Sequence, residues 1–145
     1  MRYRRDVESY RAGGPALFRL VRFWTRRWAS GPDGDQNGQR VLVLEALAAA
    51  HEPTIGAVAY QLGLDRSVAS RMLSDAVAAG DVNRRADRLD SRRSVLDLTA
   101  AGRVRLDGAR ARQGDTFAEL TAAWLPEDRD RFAGYLARLA NEVGA

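Results

Sequence analysis

Residues 65–99 read DRSVASRMLSDAVAAGDVNRRADRLDSRRSVLDLT, and the fold turns on how this stretch is parsed. Asp65 is an N-cap residue type standing before a helical run from Arg66 to Ala79. Gly80 is the residue type that ends a helix in left-handed backbone. Beyond it, Asp81–Ala86 and Ser94–Leu98 read as the two strands of a hairpin, with an arginine-rich loop between them. The helix opens with Arg66, Ser67, Ser70 and Arg71, while the hairpin and its loop carry Arg84, Arg85, Arg88, Arg92 and Arg93. A polar helix start beside a basic hairpin suits a polyanion, one element entering a groove and the other lying on a phosphate backbone.

Working back from Asp65, Gly63-Leu64 forms a turn after a short helix, IGAVAYQLG, with Thr54 as its cap. Val58, Ala59 and Leu62 are its inward residues, and Leu64 packs the turn. Two short helices joined in this way form a helix-turn-helix. Before it, His51-Glu52-Pro53 ends a helix that starts near residues 35–37 and runs to about Ala50, with Val41, Leu44, Leu47 and Ala48 facing inward. SGPDGDQNG (30–38) is a loop by composition. A further helix is expected over Ala16–Ala29, after an interruption at Gly13-Gly14-Pro15. Its apolar positions Leu17, Leu20, Val21, Trp24 and Trp28 follow helical spacing, which fits a core helix, a subunit interface, or both.

Working forward, Thr99 is a helix cap, followed by a long helix through Leu125 with Val104, Leu106, Ala109, Phe117, Leu120 and Trp124 on its apolar side. A last helix over about Glu127–Asn141 places Phe132, Tyr135, Leu136 and Leu139 inward. The order is helix, helix, helix, helix, strand, strand, helix, helix. The terminal helices carry more apolar surface than one small lobe needs, which implies a dimer built from both ends of the chain.

Composition narrows the functions. The 145 residues contain no Cys and a single His, which excludes disulfides and thiol sensing and argues against any metal centre. All 23 basic residues are Arg, and the net charge is +4. The positive charge concentrates in residues 1–29 and 82–94. No apolar run reaches membrane-spanning length and no signal-peptide pattern is present, so a cytoplasmic location is expected. No phosphate-binding glycine loop, nucleophile motif or acid–base pair is visible, so an enzyme and a cofactor are not expected.

PTIGAVAYQLGLDRSVASRMLSDAVAAGDVNR (53–84) and RADRLDSRRSVLDLTAAGR (85–103) resemble the MarR family of bacterial transcriptional regulators. The resemblance rests on Leu-Gly before the turn, Asp-Arg-Ser opening the next helix, and a wing with Asp90, Arg92, Leu98, Thr99 and Gly102 in the family's places. Three residues depart from the family pattern, among them Val68, which stands where a hydroxyl residue is common. Ala76 and Asp81 occupy positions that are usually apolar, and Asp81 is expected to loosen the helix-to-strand junction.

The resemblance implies a mainly α (α+β) fold in a single domain over residues 1–145. A winged helix-turn-helix lobe would span 36–98, with dimerisation helices at 16–29 and 99–141. It also implies a homodimeric, sequence-specific regulator of double-stranded DNA, a repressor at a pseudo-palindromic operator, released by a small aromatic effector. In such a lobe Arg66, Ser67, Val68, Ser70 and Arg71 start the recognition helix. Arg71 suits a bidentate contact to guanine, and Val68 suits either a thymine methyl or packing on the preceding helix. Arg84 and Arg85 point to opposite faces of their strand, so only one faces DNA. In the wing, the resemblance implies that Asp90 orients Arg92 while Arg88 reaches the minor groove or a phosphate, with Arg93 beside them. The alternative is a solvated loop with surface ion pairs. Trp24, Trp28 and His51 are the candidates for an aromatic effector, against the alternative of ordinary core and surface roles. A competing function for the whole chain is a winged-helix protein–protein module without specific DNA binding.

Overall fold

The computed structural model describes residues 11–29, 34–86 and 94–144, with the side chains of 28–29 and 34–37 left out. The chain divides into two compact units, residues 1–39 and 40–145.

In the first unit, helix α1 covers Gly13–Ala29. It begins three residues earlier than its composition suggests. The Gly13-Gly14-Pro15 sequence is its first turn and not an interruption, because a first-turn residue needs no intrahelical N–H acceptor and Pro15 sacrifices nothing there. Leu17, Phe18, Leu20 and Val21 are all exposed. Helix α2, Gly34–Ala49, starts in this unit and continues into the second.

The second unit holds the core. After α2 come α3 (Ile55–Leu62), α4 (Arg66–Ala78), strands β1 (Val82–Ala86) and β2 (Ser94–Leu98), then α5 (Ala100–Leu120) and α6 (Pro126–Glu142). Val43, Leu44, Ala46 and Leu47 of α2 pack with Val58 and Ala59 of α3, Ala69, Leu73 and Ala76 of α4, Val82, Leu96, and Leu106 of α5. Each Val or Leu buried in this way contributes roughly 1.5–3 kcal/mol. Ala48 is exposed, contrary to expectation, and Val43 and Ala46 take its place in the core. Leu64, at the turn, is 37% exposed, so most of its surface is covered.

Local chemistry explains the helix ends. Thr54 Oγ1 accepts the Ala57 N–H at 3.1 Å. Gly63 sits at φ +61°, and the N–H of Leu64 donates back to Ala59 O at 2.9 Å, the hydrogen bond of a left-handed helix stop. The same device ends α4: Gly80 is at φ +78° and the Asp81 N–H donates to Ala76 O at 3.0 Å. Asp65 occupies the N-cap position of α4, but its carboxylate makes no capping hydrogen bond.

The two strands form one antiparallel sheet in the register Val82↔Leu98, Arg84↔Leu96, Ala86↔Ser94. The N–H of Leu96 also donates to Pro53 O at 3.3 Å, which ties the hairpin to the α2–α3 connection. Helix α5 ends at Leu120 and does not continue to Leu125; the Thr121 hydroxyl donates to Phe117 O at 2.7 Å where the helix stops. Val104 does not share its buried face. It lies two residues from Leu106, which is about 200° around a helix, and it is 73% exposed.

Phe117 stacks on Phe132 at 5.9 Å and Trp124 contacts the same ring at 5.3 Å, fixing the α5–α6 corner. None of the residues of α6 is buried, and Tyr135 and Leu139 are exposed rather than inward. Arg110 of α5 makes a two-pronged contact to Glu45 of α2, at 3.0 Å and 2.7 Å. The hydrogen bond to Glu45 is the main reason that the Arg110 guanidinium titrates above its ordinary value. Among the described residues no helix is long and apolar enough to cross a membrane, and no cluster of His, Asp and Glu could hold a metal ion.

Candidate nucleic-acid interface

Helix α4 has two sides with different tasks. Ala69, Leu73 and Ala76 recur at spacings of four and three, and are all buried against α3 and the hairpin core. That burial turns Arg66, Ser67 and Arg71 outward, where all three are exposed. Ser70 is half-buried beside them, and the Ser74 hydroxyl donates to Ser70 O at 2.9 Å along the helix. Val68 is half-buried, so packing takes part of its surface and leaves part of it open. The expected recognition residues thus share the first two turns of one helix, with the apolar side holding the polar side out.

The sheet register settles which strand arginine lies on which face. Arg84 shares a face with Leu96 and Ser94, and its Nε donates to Ser94 Oγ at 3.1 Å. On that side it lines a shallow groove with Ile55, Leu73, Ser74 and Val77, between α4 and the hairpin. Arg85 is on the opposite face, where its guanidinium lies 2.5 Å from Asp97 Oδ2. Arg84 is therefore the strand arginine on the α4 side. Arg88, Asp90, Arg92 and Arg93 lie outside the described residues, as does the side chain of Trp28. Trp24 is half-buried and meets Phe23 edge to face at 6.1 Å. His51 is exposed just after α2.

The junction between α4, β1 and α5 corrects one expectation. Asp81 does not loosen it. The residue is 1% exposed, and Arg105 of α5 places Nε 2.8 Å from its Oδ2. The N–H of Thr99 donates to Asp81 O at 3.0 Å, and the Thr99 hydroxyl donates to Gly80 O at 2.7 Å while accepting the Gly102 N–H at 2.9 Å. Gly102 sits so close that a Cβ there would lie 2.1 Å from Asp81 O. An ion pair fills the place of an apolar contact, and the junction is tight. Sequence reading misses Arg105 because its partner lies 24 positions away, and nothing local distinguishes it from the exposed arginines around it.

Comparison with known proteins fits this geometry. A family profile described as the IclR helix-turn-helix domain matches residues 41–84, from α2 into β1. A search of curated proteins finds no match. Among solved structures, a MarR family transcription regulator is 19% identical over 95% of this chain and 92% of its own, with a TM-score of 0.71. A variant of MepR from S. aureus, solved bound to an oligodeoxyribonucleotide, is 17% identical over 89% of this chain and 96% of its own, with a TM-score of 0.56. The PcaV transcriptional regulator from Streptomyces coelicolor, solved with its natural ligand, is 22% identical over 86% of this chain and 89% of its own, with a TM-score of 0.57. The first and third of these are transcription regulators, and the second was solved on DNA. In its helix order, its helix-turn-helix and its two-stranded wing, this chain has the winged helix-turn-helix fold of these structures.

Proposed function

We propose that this protein is a sequence-specific regulator of transcription that binds double-stranded DNA as a homodimer. The observation that carries the reading is the outward face of α4: Arg66, Ser67 and Arg71 exposed at the start of the helix while Ala69, Leu73 and Ala76 anchor its other side. That geometry presents charged and hydroxyl groups to a major groove on a rigid support. Arg84 adds positive charge on the same side of the hairpin. Arg88, Arg92 and Arg93, with Asp90 orienting Arg92, supply backbone contacts from the wing. The DNA-bound MepR variant shares this fold.

The dimer reading rests on the uncovered apolar residues of two elements, Leu17, Phe18, Leu20 and Val21 on α1 and Tyr135 and Leu139 on α6. Patches of this kind on terminal helices mark association surfaces. Two copies then present two recognition helices to the half-sites of a pseudo-palindrome. The protein acts as a repressor released by a small aromatic compound, with Trp24, Trp28 and His51 as candidate contacts; PcaV of the same fold is solved with a ligand.

Selection of bound sequences from random and genomic DNA tests the reading directly. The wild type enriches a two-fold symmetric site, and Arg71→Ala relaxes the preference at one base pair per half-site, by about 1–3 kcal/mol. Enrichment of no sequence at any salt concentration refutes specific DNA binding and leaves the protein-interaction alternative.

A further inference from the structure

Asp81 is the residue through which the recognition helix passes into the wing. Its N–H closes the end of α4 on Ala76, its carbonyl takes the N–H of Thr99, and its carboxylate meets Arg105 one turn into α5. A carboxylate at 1% exposure is costly to desolvate, and its attraction to Arg105 does little more than offset that cost. An apolar pair would hold the two elements together as firmly. What the ion pair adds is a preferred separation: Nε and Oδ2 stand 2.8 Å apart without a hydrogen bond between those two atoms, and their Coulomb attraction weakens as they part, whereas two aliphatic side chains slide over each other with little change in energy.

A fixed separation matters here because α4 is a lever. Its 13 residues extend about 20 Å from the junction to Arg66. A rotation of about 5° at Asp81 therefore displaces the reading end by roughly 1.7 Å, whereas a polar recognition site tolerates about 0.5 Å. We propose that the Asp81–Arg105 pair is a positioning element for DNA reading: it fixes the angle at which the recognition helix and the wing leave α5, and it does so without touching DNA. The pair controls the discrimination between operator and random DNA, and leaves the general attraction to phosphates unchanged. This rests on the DNA-binding reading above.

The test compares full-length wild type, Asp81→Leu/Arg105→Leu and Arg105→Lys. Each is titrated with the site selected by the wild type and with a random duplex, across a range of salt. Folding is checked by circular dichroism and thermal melting. The double variant is expected to fold, to bind random DNA with wild-type affinity and salt slope, and to lose about tenfold in affinity for the selected site. Arg105→Lys keeps the charge but not the guanidinium geometry, and loses about threefold on the selected site alone. A folded double variant whose operator-to-random ratio stays within twofold of wild type overturns the proposal. If the double variant does not fold, Arg105→Lys decides by the same ratio. A wild type that selects no site overturns the DNA-binding reading and this proposal together, whereas a selected site bound equally by all three proteins overturns this proposal alone.

Discussion

Replacing Gly102 with Ala should destabilise the protein, although the change is to a better helix former. In an open helix position Gly→Ala gains up to about 1 kcal/mol. At Gly102 the added Cβ would lie 2.1 Å from Asp81 O, 3.0 Å from its carbonyl carbon and 3.3 Å from its Cα. All three are backbone atoms, so no rotamer change relieves the contact; α5 and the α4–β1 turn must separate by about 1 Å. That shift weakens the Thr99 N–H hydrogen bond to Asp81 O and pulls Arg105 from its carboxylate. Overpacking of about 1–3 kcal/mol and a weakened buried hydrogen bond of about 1 kcal/mol outweigh the helix gain, for a net loss of roughly 1–3 kcal/mol. For a chain of this size that lowers Tm by about 3–10 °C. Gly114 on the same helix is the control, because a Cβ there meets nothing within 4 Å, and Gly114→Ala should raise stability by up to about 1 kcal/mol. Thermal and urea melts at equal protein concentration measure both. If Gly102→Ala melts at or above the wild-type temperature, the close approach of α5 to Asp81 is not a constraint on this fold.

Other substitutions test other parts of the account. Thr99→Ala removes the acceptor for the Gly102 N–H and the donor to Gly80 O, and should cost about 1–3 kcal/mol in a urea melt; a cost under about 0.5 kcal/mol removes Thr99 from the junction. Tyr135→Glu/Leu139→Glu places two charges on the uncovered side of α6, and should shift the protein from dimer to monomer in light scattering without altering its circular dichroism. An unchanged mass would put the subunit interface elsewhere. Arg92→Ala should weaken binding to all duplexes by a similar factor and reduce the salt slope by about 2 for two wings; equal salt titrations of wild type and variant rule out a wing contact to phosphate.

Several features are readable before any coordinates, and they share a property: their determinants lie within a few residues of one another. Thr54 caps α3 through an N–H three residues away, and Thr99 caps α5 in the same manner. Gly63 and Gly80 stop their helices by taking positive φ. The outward residues of α4 follow from the spacing of Ala69, Leu73 and Ala76, which a 3.6-residue repeat places on one side. Local spacing fails where a helix has a choice of partner. Ala48 and Val104 have the right residue type for burial but are exposed, whereas Val43 and Ala46 are buried.

The remaining features depend on residues far apart in sequence. The two strand arginines alternate by strand geometry, but which of them faces α4 depends on the pairing of Arg84 with Leu96. Asp81 reads as a polar intrusion into an apolar place, and becomes a tight contact only because α5 returns Arg105 to within 2.8 Å of it. Gly102 looks like a weak point in a helix, and is required because a carbonyl from 21 residues earlier occupies the space of its side chain. Short-range hydrogen bonds and helical periodicity are written in neighbouring letters, so the sequence alone sets the elements, their ends and the polar face of α4. Charge compensation and close backbone approach depend on where a distant segment returns, and the folded chain alone decides them.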